Sequence, residues 1–235
     1  MSTEQERLRS VAQWYTNRTG LNSQLAVFGF RSLMPHFVPG NVLEMGSADG
    51  HMTEQLITHF ENTSIIDGSA DYVLAIRDRM PSVKAHHSLF EDFSPPESYT
   101  NIVMAHILEH VEEPVGILKR AATWLAPEGR IHVIVPNALS LHRLAGVKMG
   151  LLPEPTSLNE DDVRIGHRRV YTPEALEADV AASGLRQVYK EGYFLKPLSN
   201  RQIEESWSQE LIDAYYELGR EFPANAAEIV LVCEL

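Results

Sequence analysis

One cysteine, Cys233, stands in 235 residues. That excludes a disulfide framework and any CxxC zinc or redox site, and fits a reduced compartment such as the cytoplasm. No apolar run approaches the ~18 residues a spanning helix requires, so no membrane segment is expected. The opening MSTEQERLRS lacks the basic-then-apolar layout of a secretory signal. Positive charge is scarce as well: 20 Lys and Arg face 32 Asp and Glu, a formal net charge of −12. Such an excess repels phosphate backbones and argues against nucleic acid as a partner. Three glycine signatures are missing: GxGxxG of dinucleotide folds, GxxxxGK followed by Ser or Thr of phosphate loops, and GxSxG of hydrolases.

What is present is ordinary globular material, 44% apolar and 22% charged, enough for one large domain with a real core. Apolar positions three and four apart (Leu25, Phe28, Leu33, Phe37) predict helix in a cap over residues 1–40, closed by Pro39-Gly40. A core over 41–136 then alternates. NVLEM (41–45), TSIID (63–67), VKAHHS (83–88), NIVMA (101–105) and RIHVIV (130–135) read as strands. HMTEQLITHF (51–60), ADYVLAIRDRM (70–80) and PVGILKRAATWL (114–125) read as helices. Alternation at this spacing means βαβ units, hence a doubly wound parallel sheet with helices on both faces. An insertion is expected over 137–171. Residues 172–235 would hold the C-terminal helices and last strands, from PEALEADVAAS (173–183) through LRQVYKEGYF to AAEIVLVCEL.

The most informative stretch is Glu44-Met45-Gly46-Ser47-Ala48-Asp49-Gly50, where a strand turns through two glycines into a helix at about His51. Glycine lets a ligand approach the backbone, and the free N–H groups of the helix favour polar or anionic groups. Taken alone, the pair is also what a tight turn would need. Asp67 ends the second strand 21 residues after Gly46, and an acid there can accept both hydrogen bonds of a ribose diol. The competing role, a helix N-cap, is already supplied by Ser69.

With these residues in view, the chain resembles a class I S-adenosylmethionine-dependent methyltransferase of the small-molecule branch related to the ubiquinone-biosynthesis O-methyltransferases. The resemblance rests on LEMGSADG (43–50), IIDGS (65–69), SLFEDF (88–93), IVMAHILEHVEEP (102–114) and WLAPEGRIHVIVPN (124–137), in that order, over roughly residues 40–137. Ala48 stands where many members carry glycine. The resemblance implies a Rossmann-like seven-stranded sheet with an antiparallel last strand, and S-adenosylmethionine as cofactor. Glu44 would hold its amino-acid end, Gly46 and Gly50 would admit it, and Ser47 and Ala48 would line the loop. Asp67, with Gly68 and Ser69, would take the ribose, the backbone at Leu89 and Phe90 the adenine edge, and Ala105 and His106 would sit beside the sulfonium.

Ten histidines are many for this length. His51, His59, His86 and His132 read as surface or packing residues. His106-Ile107-Leu108-Glu109-His110 spells the inverted zinc-peptidase motif HxxEH. Its start at a strand end and the nearby Pro114 argue against a metalloprotease, and no metal is expected. As part of a methyltransferase site, His106 and His110 are the candidate catalytic bases, since imidazole titrates near neutrality. On the acceptor side the candidates are Tyr15, beside Trp14 in the N-terminal cap, then Asn137, His142 and Arg143, and His167 and Arg168 in GHRRVY. Arginine recognises carboxylate or phosphate through a planar fork; salt bridges to Glu160, Asp161 and Asp162 are the equal alternative. The expected reaction moves a methyl group to oxygen or nitrogen of a small-molecule acceptor, acidic or natural-product-like in kind, and a homodimer is compatible with it. Two rivals stay open: a regulatory module that binds the cofactor without catalysis, and a nucleotide-dependent oxidoreductase, which the broken GxGxxG disfavours.

Overall fold

Strands of a parallel sheet covered on both faces need no apolar–polar alternation, and the first two strands show none. In the computed structural model, which describes Arg7 and residues 20–235, every residue of β1 (Val42–Met45) and β2 (Thr63–Asp67) is buried. They join β3 (Lys84–His87), β4 (Tyr99–Ala105), β5 (Leu125–Pro136), β6 (Arg186–Tyr193) and β7 (Glu228–Glu234) in one sheet of order β3-β2-β1-β4-β5-β7-β6. The first five strands pair in parallel, and β7 runs antiparallel between β5 and β6. This is the Rossmann-like doubly wound α/β sheet with an antiparallel last strand. Trp14 and Tyr15 lie outside the described residues.

Alternate residues of the central strands face opposite layers. Leu43, Met104, Val133 and Leu231 share a cluster with Ile117 and Leu118 of α4 (Pro114–Ala122) and Leu176 of α7 (Pro173–Ser183). Val42, Val103, Ile134 and Val230 share another with Leu25, Phe28 and Leu33 of α1 (Leu21–Leu33), Leu56 of α2 (His51–His59) and Tyr216 of α9 (Gln209–Glu221). Near the β3 edge, Val73 and Ile76 of α3 (Ala70–Arg79) cover Ile65 and Ala85. Helices α5 (Leu141–Lys148), α6 (Glu160–Arg164) and α8 (Asn200–Ser206) lie between the strands of the second half.

Local chemistry explains where elements stop. α7 begins with the Thr172 side chain accepting the Ala175 N–H and Pro173 in its first turn, and ends at Gly184, whose φ of +87° suits glycine. Several boundaries differ from the sequence expectation: β4 begins at Tyr99 rather than Asn101, β5 at Leu125 rather than Arg130, and two helix ends move for visible reasons. Phe37 falls beyond α1, in extended backbone after a 3₁₀ turn at Met34–His36. Trp124 and Leu125 leave the helix, because Tyr99 N–H donates to the Trp124 carbonyl at 2.8 Å and the indole packs edge-on against Phe93. Tertiary pairing overrides a helical pattern there.

The arrangement sets up one crevice. Gly46, Gly68, Ser88, His106 and Asn137 each directly follow the carboxyl end of a parallel strand, β1 to β5. Strand order reverses between β1 and β4, which is where open α/β sheets bind ligands.

Candidate active site

Gly46 has φ +76°, and a Cβ placed on it would lie 2.2 Å from Ile107 Cδ1 and 3.7 Å from Phe90 Cζ. Any side chain would therefore fill the cradle that Ile107 and Phe90 border. Ala48 is also in the left-handed region, at φ +42°, and Gly50, at +82°, forms the N-terminal boundary of α2. Asp67 organises this loop. Its Oδ2 accepts the backbone N–H of Ser47 at 2.9 Å and of Ala48 at 3.1 Å, and the Ser47 hydroxyl at 3.3 Å. Its Oδ1 accepts the Ser69 N–H at 2.8 Å. Burial pushes the Asp67 carboxyl upward, against these four hydrogen bonds. Ser69 occupies the N-cap position of α3, yet its hydroxyl makes no capping bond and is buried without a partner. The cap expected of Ser69 is therefore not made by its side chain, and Asp67 accepts the N–H of Ser69 itself rather than a helix amide.

Glu44 is 2% exposed and accepts one hydrogen bond, from Thr53 Oγ1 at 2.5 Å. Burial pushes its carboxyl up to about 8, with a further contribution from Asp67, against the Thr53 bond. A cation delivered to Glu44 would reverse that shift by compensating the buried charge. On the opposite wall, the Leu89 carbonyl closes a turn by accepting from Asp92 and Phe93 N–H, and Phe90 packs against the core. The Gly68 carbonyl lies 3.2 Å from His87 Nε2.

His106 follows Ala105 at the end of β4 with φ +57°, a rare conformation for a residue with a side chain. Its Nδ1 lies 3.3 Å from Glu109 Oε1 and 3.9 Å from Glu228 Oε2, and its side chain is 29% exposed. Burial alone would lower its pKa, but Glu228 and Glu109 outweigh burial and raise it to about 9. The near-neutral value assumed for a base from sequence is thus displaced by two carboxylates. HxxEH forms a turn rather than a helix, so His106 and His110 are not stacked one helical turn apart. The His110 ring meets His167 edge-on, with centroids 4.7 Å apart. Burial lowers the His110 pKa to about 4.

Asn137, Arg143, His167 and Arg168 have partners within the chain, whereas His142 Nδ1 is buried without a hydrogen bond. Asn137 donates to the Ala224 and Ala226 carbonyls at 3.1 and 2.9 Å, and accepts from Leu139 N–H. Arg143 is a buried pin of the 137–171 segment: Nε bonds the Pro155 carbonyl at 2.8 Å, Nη1 pairs with Asp162 at 3.0 Å, and Nη2 reaches the Ser157 carbonyl. His142 shares a small cleft with Arg143, Gly146, Leu151, Leu152 and Asn159. Burial, Lys196 and Arg143 hold its pKa down to about 3. His167 Nδ1 is 3.3 Å from Asp162 Oδ1. Arg168 donates to the His110 carbonyl at 2.8 Å and pairs with Glu112 at 3.1 Å, and Arg169 binds the Leu108, Val111 and Glu112 carbonyls. These two arginines brace the turn after β4, a use different from either alternative read in the sequence.

Three acids at the site went unselected: Glu109, Glu228 and Asp162. Glu228 had a signal, a charge opening the otherwise apolar run EIVLVC, and it is 5% exposed. Glu109 was visible only as part of HxxEH. Asp162 looked like any member of an acidic triplet. Among the described residues one group has metal-ligating proximity, Glu109 with His110 and His167.

Comparisons with known proteins agree with this geometry. A family described as "Methyltransferase domain" matches residues 14–190. Trans-aconitate 2-methyltransferase of Rhodopseudomonas palustris strain HaA2 is 30% identical over 107 residues, 44% of this chain and 41% of that protein. This chain thus spans about four tenths of the length of that curated relative. Among solved structures, a possible histamine N-methyltransferase of Thermotoga maritima superposes with TM-score 0.63 at 17% identity, covering 98% of this chain and 94% of the other. The N-methyltransferase NodS of Bradyrhizobium japonicum WM9, in complex with S-adenosyl-L-homocysteine, gives TM-score 0.60 at 16% identity, covering 97% and 96%. At such identities the structures speak for the fold.

Proposed function

Because the chain belongs to the methyltransferase-domain family, we propose that it moves the methyl group of S-adenosylmethionine to an oxygen or nitrogen of a small-molecule acceptor. The observation that carries this reading is the crevice at the β1–β4 reversal, where Gly46 leaves a cradle, Ser69 Oγ is buried without a partner, and Glu44 lacks a cation. A molecule with an ammonium group, a ribose diol and a flat base matches that donor and acceptor set. When bound, S-adenosylmethionine supplies an activated methyl group.

The chain's own residues then have distinct tasks. Glu44 would hold the amino group, and Gly46, Ser47, Ala48 and Gly50 would form the floor. Asp67, whose Oδ2 is filled by the loop but whose Oδ1 accepts only the Ser69 N–H, would take a ribose hydroxyl at Oδ1 together with Gly68 and Ser69. Leu89 and Phe90 would border the base. Ala105 and His106, at the end of β4, would face the reacting centre. His106 is held by Glu109 and Glu228 with part of its ring exposed, and because the two carboxylates raise its pKa to about 9 it would take the acceptor's proton only once deprotonated, so turnover should rise with pH towards that value. His110 would shape the pocket.

Radiolabelled methyl transfer tests this reading. Full-length protein incubated with methyl-labelled S-adenosylmethionine and a fractionated metabolite extract is expected to label a low-molecular-weight product. Binding of S-adenosylhomocysteine without labelled product from any fraction would favour a regulatory module. Binding of NAD with no response to either sulfur nucleoside would overturn the assignment.

A further inference from the structure

The pattern HxxEH would bring two imidazoles together on a helix, but the chain forms a turn there and His106 points to Glu109 and Glu228 instead. A different convergence results. His167, from the segment beyond β5, comes up against Glu109 and His110, and one ligand atom from each of the three lies within 4.8 Å of the others. A tetrahedral site with ligands at ~2.1 Å has edges of about 3.4 Å, so closure needs roughly an ångström of side-chain adjustment.

Two further observations point to a cation at this place. The Glu109 side chain is 1% exposed and neither of its oxygens has a hydrogen bond; the imidazole beside it, His106 Nδ1 at 3.3 Å, is shared with a second buried carboxylate, Glu228 at 3.9 Å. A buried carboxylate without hydrogen bonds is costly unless a positive charge compensates it. The rings are also braced as metal-bound imidazoles are. Asp162 Oδ1 stands 3.3 Å from His167 Nδ1, which would fix the Nδ1–H tautomer and leave Nε2 for a ligand. Asp162 is held in turn by Arg143 and the Asn159 N–H, both at 3.0 Å. The Gly166 carbonyl faces the His110 ring as a hydrogen-bond acceptor. Arg7 and Arg168 carry positive charge nearby, but both donate to backbone carbonyls of the turn, and Arg168 is paired with Glu112.

We propose that Glu109, His110 and His167 bind a divalent transition-metal ion, tying the turn after β4 to the segment that carries His167. Two imidazoles and one carboxylate suit a borderline ion such as Zn(II) or Co(II) rather than Mg(II) or Ca(II), which favour all-oxygen sites. The proposal stands apart from methyl transfer, because its readouts are binding and stability.

The full chain, stripped by chelation and dialysed, is titrated with Zn(II) by calorimetry and with Co(II) by visible absorption. One equivalent is expected to bind, with Co(II) bands of a low-symmetry site and a higher melting temperature in excess Zn(II), as linkage requires. Glu109→Gln and His110→Gln should each weaken binding by at least tenfold. Asp162→Asn, which removes the charge that braces His167 and pairs with Arg143 but leaves all three ligands in place, should weaken it by roughly 10–100-fold. His51→Gln, remote from the group, should change nothing. Should Glu109→Gln not fold, His110→Gln, at a less deeply buried position, carries the test. Absence of stoichiometric binding in the wild type, or binding that survives His110→Gln or is lost in His51→Gln, would overturn the site.

Discussion

The Asp67 carboxylate accepts the Ser47 backbone N–H at 2.9 Å, so the acid ending β2 closes the glycine loop that follows β1. It also receives Ala48 and Ser69 N–H groups. Asp67 is therefore part of the site's framework as well as a candidate ligand group. Asp67→Ala should weaken S-adenosylhomocysteine binding by roughly 1.5–3 kcal/mol, the scale of hydrogen bonds to a charged group. It should also lower the melting temperature, because three backbone donors, those of Ser47 and Ser69 buried, lose their acceptor. Asp67→Asn keeps one carbonyl acceptor and should fall between. Calorimetry and thermal melts on both variants check this; an unchanged affinity in Asp67→Ala would move the ribose site elsewhere.

Gly46→Ala combines a positive φ with a contact 2.2 Å from Ile107 Cδ1. The strain of the backbone alone is about 1–3 kcal/mol. Stability should fall by at least that amount and cofactor affinity should drop with it. Adding Ile107→Val removes the clashing methyl but leaves φ unchanged, so the double variant should recover part of the stability. Urea denaturation of the two variants separates contact from strain. Equal stability of single and double variants would show that the contact relaxes without cost.

For the chemistry, His106→Ala should lower turnover by roughly 10²–10⁴, the range for a positioned acid–base group. Cofactor affinity, measured separately by calorimetry, should hardly change. His110→Ala should cost less. If positioning of the acceptor suffices, both variants will keep most of their turnover, and the role of His106 reduces to pocket shape.

His132 lies in β5 with no exposed surface, its Nε2 3.2 Å from Asn101 Oδ1 and its Nδ1 without a partner. Burial, with His36 and Arg130 adding to it, lowers its pKa from 6.5 to about 3. The folded chain therefore binds fewer protons than the unfolded chain between those values, and stability falls as the pH drops through that window. It is fully present above the unfolded value. Between pH 7 and pH 4.5 the His132 share is roughly 2–3 kcal/mol. His132→Leu should remove that share, flattening the acid limb of stability measured by urea unfolding. A parallel acid limb in wild type and variant would assign the loss to other groups.

Much of the fold was written locally. β2 and α7 occupy the residues expected from the apolar run TSIID and from PEALEADVAAS, because strand pattern and cap chemistry act within a few residues. The failures occurred where a long-range partner competed. Trp124 left its helix for a strand bond to Tyr99, and Arg168 answered the carbonyl of His110 instead of the acids just upstream.

The sequence by itself determined the alternating βαβ core, the glycine turn at Gly46 and Gly50, and an acid at the end of the second strand. Periodicity, glycine and strand length depend on neighbours in the chain, so they can be read along it. Only the tertiary structure decided what each polar side chain meets. Glu228 reaches His106 because β7 inserts beside β5, and His167 reaches Glu109 and His110 because Arg143 anchors Asp162 beneath it. Such pairings join residues far apart in the chain. Their electrostatics depend on burial and on distances of a few ångströms, which packing sets and no local pattern encodes.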